Sequence, residues 1–112
     1  MKVFIEKREI VDHCAENNKG EFNFEKMIEE LAEFQEVTAK IRTKHPNNPD
    51  RPKRDEIVKE FGDLIYRGII YIKCQFPDIT LPELMDKIEA RIHKKLTNLE
   101  EYKNLGRYNA GL

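Results

Sequence analysis

Four acidic residues stand in two pairs with the same spacing along the chain: Glu30 with Glu33, and Glu60 with Asp63. Residues three apart on a helix point the same way, so each pair can hold one cation if its segment is helical. Carboxylates without histidine or cysteine favour hard ions, with Mg²⁺ as the natural occupant and Mn²⁺ as an alternative. The spacing therefore predicts one metal site built from both pairs.

The position of Glu30 on its helix is unusual for an acid. With roughly 100° per residue, Glu30 falls inside the apolar stripe of a helix predicted over 24–43, and Glu33 lies at the edge of that stripe. The apolar residues of the stripe are Met27, Phe34, Val37 and Ile41. Glu25, Glu29 and Glu36 lie on the opposite side, where a solvated face explains them. Glu30 has no such explanation.

Two interpretations account for acids aimed at the interior. If the two helices run antiparallel, their acidic pairs face each other, and the repelling carboxylates must bind protons or divalent cations to stay buried. Alternatively, Arg67 forms structural ion pairs with them, since it lies one turn from Asp63 and two turns from Glu60. The pattern alone leaves both interpretations open.

The elements that position these acids are all predicted to be helical, because no strand-like alternation occurs. A first helix is predicted over 3–17, and a second follows Asn23 as its N-cap. A loop with three prolines over 44–54 precedes a third helix over 55–75. The fourth helix starts after the capping box at Thr80 and continues to about residue 103. The predicted fold class is all-α, a bundle of about four helices.

The distribution of apolar residues in the third helix predicts a homo-oligomer. From Phe61 onward it is apolar on almost every side, and a chain of 112 residues has few other helices to cover it. A second copy that completes the bundle would bury this surface. The length predicts a single domain over 1–112.

Composition excludes several classes of protein. Charged residues make up 37% of the chain and the net charge is -1, so the basic excess that binds a nucleic-acid backbone is missing. No apolar run approaches the ~20 residues that span a bilayer, and no signal-peptide pattern opens the sequence. We expect a soluble, cytoplasmic protein with no membrane or nucleic-acid partner. Cys14 and Cys74 are expected to be reduced, buried thiols.

The two acidic motifs resemble those of a known family. Residues 27–34 (MIEELAEF) and 58–66 (VKEFGDLIY) resemble the EExxE and ExxD signatures of the MazG-like all-α nucleoside triphosphate pyrophosphohydrolases. The order of the motifs, their separation, and the segment 77–84 that leads into a basic helix also match. The resemblance covers roughly residues 22–103.

This resemblance implies an activity and a set of site residues. Such proteins are helical dimers or tetramers that use Mg²⁺ to cleave a nucleoside triphosphate into the monophosphate and pyrophosphate. The metal-binding and catalytic residues implied are Glu30, Glu33, Glu60 and Asp63. Glu29 is implied to face the substrate. The family also holds phosphates with basic and amide side chains of its last helix, for which the candidates here are Arg91, Lys94, Lys95 and Asn98.

Several alternatives stay open beside this expectation. One alternative is a non-catalytic helical adaptor that dimerises or binds a partner helix through its third helix, with its acids paired to Arg67 and nearby lysines. A phosphoribosyl-ATP pyrophosphatase would share the metal site and differ only in substrate. Among nucleotides, dUTP, dCTP, a damaged nucleotide and a broad range are all compatible with the sequence.

Overall fold

The computed structural model describes residues 1–17 and 20–106, and within these ranges every regular element is an α-helix. The five helices are α1 (Lys2–Glu6), α2 (Arg8–Asn17), α3 (Gly20–Thr43), α4 (Arg54–Gln75) and α5 (Leu81–Asn104). The predicted all-α class is confirmed. The predicted first helix is divided into α1 and α2 by a turn at Lys7, which explains the difference from about four helices.

The predicted start of α3 is wrong. The helix begins at Gly20, so Asn23 lies inside its first turns, and this side chain is only 1% exposed. Asn23 lies on the same side of α3 as Glu30 and Ile41, which is the side directed at the interior. A capping signal is local, and packing of this face overrides it.

The predicted start of α5 is confirmed. The Thr80 hydroxyl accepts a hydrogen bond from the backbone N–H of Glu83 at 3.2 Å, as an N-cap does, and Pro82 lies in the first turn. The end of α4 is also as expected, because the helix stops at Gln75, just before Pro77.

The chain divides into two compact units. One comprises Met1–Glu6 with the chain from Ile79 onward, and contains α1 and α5; within it the amino terminus of Met1 contacts Met85 Sδ at 3.4 Å. The other, Lys7–Asp78, contains α2, α3 and α4. The single domain expected from the chain length stays a prediction.

Helices α3 and α4 form the largest packing contact of the Lys7–Asp78 unit. Phe24 packs on Tyr71 with ring centroids 5.8 Å apart, and Phe34 packs on Phe61 at 5.4 Å. Earlier residues of α3 thus meet later residues of α4, so the two helices run antiparallel. This is the orientation under which the two acidic pairs were expected to face each other.

Two further observations concern the whole described chain. Cys14 and Cys74 are free thiols as predicted, although both are half-buried rather than buried. None of the described helices combines the length and the apolar character that crossing a membrane requires.

Candidate metal centre

The antiparallel packing of α3 and α4 brings three of the predicted acids together. One carboxylate oxygen from each of Glu30, Glu60 and Asp63 lies within 4.8 Å of the other two. All three side chains are half-buried. Because Glu30 comes from α3 and the other two come from α4, the group exists only when these helices are packed.

Two oxygens of this group lack hydrogen-bond donors. Glu30 Oε2 and Glu60 Oε2 are both buried from solvent, and neither accepts a hydrogen bond within the described part of the chain. A buried acceptor left without a partner costs roughly 1–3 kcal/mol, and more when it is charged. Two such oxygens on adjacent helices would be stabilised by a proton or a cation.

Glu33 belongs to the same electrostatic group. The negative charge of Glu30 raises the pKa of the Glu33 carboxyl above its ordinary value, and partial burial and the neighbouring Glu60 raise it further. Like charges at close range disfavour a second ionisation, so Glu33 holds its proton more readily than an isolated glutamate does. The structure thus brings oxygens of three predicted acids within 4.8 Å of one another, with the fourth acid beside them.

Lys59 is one of the nearby lysines that the adaptor alternative expects to pair with the acids, although it was not predicted by number. Its Nζ lies 3.3 Å from Glu60 Oε1 and 3.4 Å from Asp63 Oδ2. These two contacts raise the pKa of the Lys59 ammonium, with the hydrogen bond to Glu60 as the larger cause. The signal was present in the sequence, because Lys59 precedes Glu60 directly and stands four residues before Asp63 on the same helix.

Arg67 does not have the role that the alternative interpretation gave it. Its guanidinium carbon lies 4.9 Å from the ring centroid of Tyr66, and its Nε is buried without a hydrogen-bond partner. No ion pair joins Arg67 to Glu60 or Asp63 among the residues that the structure describes. The acids are therefore not neutralised by an internal arginine.

The remaining predicted site residues lie elsewhere. Glu29 is on the solvent side of α3, where Lys26 pairs with it at 3.3 Å. The α5 candidates belong to the other compact unit, and all are exposed except Asn98, which is half-buried: Arg91, Lys94, Lys95 and Asn98. Their contact with substrate stays a prediction.

The donor set fits a hard divalent cation. Three carboxylates without a nearby histidine or thiol match the oxygen ligands that Mg²⁺ and Mn²⁺ take. The three carboxylates carry three formal negative charges, and Lys59 carries one positive charge. The two remaining negative charges are what one divalent ion would neutralise. Glu30, Glu60 and Asp63 would hold such an ion.

Comparisons with models of known families, with curated proteins and with solved structures find no match for this chain. The family resemblance therefore depends only on the two acidic motifs, their order and separation, and the segment 77–84. Function has to be argued from the chemistry of the site.

Proposed function

We propose that this protein is a Mg²⁺-dependent nucleoside triphosphate pyrophosphohydrolase of the MazG-like type, with Mn²⁺ as a substitute for Mg²⁺. The reaction converts a nucleoside triphosphate and water into the monophosphate and pyrophosphate. The observation that carries the proposal is the approach of Glu30, Glu60 and Asp63 oxygens to within 4.8 Å of one another across two helices. The ExxE and ExxD spacing supports it independently.

The acidic residues of the site are proposed to have different roles. A bound divalent ion would supply charge neutralisation for the triphosphate and a water of lowered pKa. Glu30, Glu60 and Asp63 hold and orient that ion. Glu33 lies beside their oxygens without being one of the three, so it is either a fourth ligand or the acceptor of the proton that the attacking water loses.

We also propose which residues contact the nucleotide and that the protein forms a homo-oligomer. Glu29 and the basic and amide residues of α5 are proposed to contact the nucleotide: Arg91, Lys94, Lys95 and Asn98. A homodimer or homotetramer in the cytoplasm is also part of the proposal. Support for the assembly comes from apolar side chains of α3 and α4 that are exposed in one chain, including Phe24, Ile28, Val58 and Phe61.

The decisive experiment measures pyrophosphate release from a panel of common and modified nucleotides, including phosphoribosyl-ATP, with Mg²⁺ present. We expect Asp63→Asn to abolish release from whichever nucleotide the parent cleaves, because it removes one of the converging ligands. Glu36→Gln is the matched control, since Glu36 is an acid on the solvent side of α3 that pairs with Lys40. Equal activity of Asp63→Asn and the parent would refute the site.

One observation favours the non-catalytic adaptor as a second candidate. Lys59 already neutralises part of the acidic group, and exposed apolar residues suit a binding surface as well as an enzyme dimer. Thermal unfolding with and without Mg²⁺ or Mn²⁺ separates the two candidates, because a ligand bound only by the folded state raises stability. No shift with either ion would favour the adaptor.

A further inference from the structure

Lys59 is a positively charged residue that contacts two acids of the candidate metal centre. Its ammonium contacts Glu60 at 3.3 Å and Asp63 at 3.4 Å, and both acids also belong to the group of converging oxygens. The side chain is nevertheless 68% exposed. Its only hydrogen bonds within the described residues are to these two carboxylates. The ammonium therefore lies at the solvent side of the group, and within the described part of the chain its ion pairs are with these two acids.

This single positive charge compensates the acids incompletely. Glu30, Glu60 and Asp63 carry three formal negative charges, so two remain when Lys59 is counted. Glu30 Oε2 and Glu60 Oε2 are also buried without a donor while Lys59 is in place. A divalent ion that binds these oxygens would lie close to the ammonium, and two like charges at such a distance repel.

We infer that Lys59 is a movable counter-ion that competes with the metal for Glu60 and Asp63, and that contacts the phosphate oxygens of the substrate once the metal has displaced it. The inference rests on the proposed function. A displaced ammonium on an exposed stem remains within reach of the mouth of the site, where the triphosphate would lie. Charge-assisted hydrogen bonds to phosphate are the interactions that such a group forms there.

The chain contains a matched control for this residue. Lys40 pairs with Glu36 at 3.2 Å, also across one helical turn, and the two side chains are 45% and 65% exposed. The difference is that Glu36 belongs to no acidic group. Lys40→Met therefore removes a lysine of the same kind from an ion pair of similar length without touching the site.

The first test measures binding of Mn²⁺ alone to the full-length chain by calorimetry. Exposed ion pairs are worth up to about 1 kcal/mol, so we expect Lys59→Met to bind Mn²⁺ about two- to five-fold more tightly than the parent. Lys40→Met should bind it as the parent does, and Lys59→Arg, which keeps the charge, should stay close to the parent. Unchanged or weaker binding by Lys59→Met would overturn the competition.

The second test measures binding of inorganic tripolyphosphate at saturating Mg²⁺. Loss of a charge-assisted hydrogen bond predicts binding that is roughly ten-fold weaker in Lys59→Met, with no change in Lys40→Met. Equal binding by Lys59→Met and the parent would overturn the phosphate contact. A parent chain that binds no Mn²⁺ in the first test would instead refute the proposed function, so the two failures are distinguishable.

Discussion

Helix α3 carries two kinds of glutamate, and their surroundings differ although they are neighbours in sequence. Glu29 and Glu36 each have a lysine one turn away, at 3.3 Å and 3.2 Å, and their side chains are 53% and 65% exposed. Glu30 instead lies near Glu60 and Asp63, and Glu33 is influenced by Glu30 and Glu60. One step along the helix, about 100°, separates Glu30 from Glu29.

Helical phase, and not local composition, decides which charged groups surround Glu30. On the solvent side, water and lysines keep each carboxylate ionised at little cost. On the α4 side, the half-buried carboxylate of Glu30 lies close to Glu60 and Asp63, which are also acids. Only in this second environment would a proton or a metal ion relieve repulsion between carboxylates. The difference can therefore be tested by substituting one acid on the solvent side and one on the α4 side.

The largest effect is expected from Glu30→Gln on stabilisation by metal. At a hundred-fold excess over Kd, Mg²⁺ or Mn²⁺ should stabilise the parent by about 2.7 kcal/mol. Loss of a ligand should weaken binding at least as much as loss of a supporting residue does, roughly 10–100-fold, so most of this stabilisation should disappear. Chemical denaturation with and without the ion measures it. A full metal-dependent shift in Glu30→Gln would show that the two environments are equivalent.

A smaller effect is expected from Glu33→Gln on the pH dependence of stability without metal. The folded chain raises the pKa of Glu33 above the ordinary value of 4.5, so between these two values the folded state binds more protons than the unfolded state. The stability of the parent should therefore fall as pH rises through this window, and the penalty should persist above it.

Glu33→Gln carries no ionisable group at this position and should lack that decrease. We expect it to be more stable than the parent above the window, with the difference shrinking below about pH 4. Urea denaturation in the presence of a chelator, repeated across pH, checks the sign. A variant that becomes less stable than the parent at neutral pH would show that ionised Glu33 makes a favourable contact.

The helical phase of the acids could be predicted from the sequence because it depends only on spacing within one helix. The apolar stripe around Glu30 identified it as an interior acid, and the i,i+3 pairs identified its partners. The antiparallel packing of α3 and α4, which the proline loop joins, was the condition for the two pairs to face each other, and the structure meets that condition. Each of these steps uses local geometry or a short connection.

Three other features were not predicted correctly from the sequence. Asn23 has the local properties of an N-cap, but packing buries it within α3. Arg67 has the correct spacing for an ion pair, but its guanidinium lies over Tyr66 instead. Lys59 was not named individually, although its spacing to Glu60 and Asp63 on the same helix indicates the contact. The packing of neighbouring helices decides the outcome for Asn23, whereas the contacts of Arg67 and Lys59 lie within α4, where several side-chain rotamers satisfy the local rules.

The smallest effect is expected from Glu36→Gln, which breaks the exposed pair with Lys40 on the solvent side of α3. An i,i+4 pair of this type contributes roughly 0.3–0.5 kcal/mol, so the free energy of unfolding should decrease by no more than that. The decrease should shrink at high salt, because exposed charges are screened. Metal-dependent stabilisation should equal that of the parent, since Glu36 has no access to the α4 acids. If Glu36→Gln instead altered metal binding as Glu30→Gln does, the acids of α3 would act through their summed charge, and the separation by helical phase would be wrong.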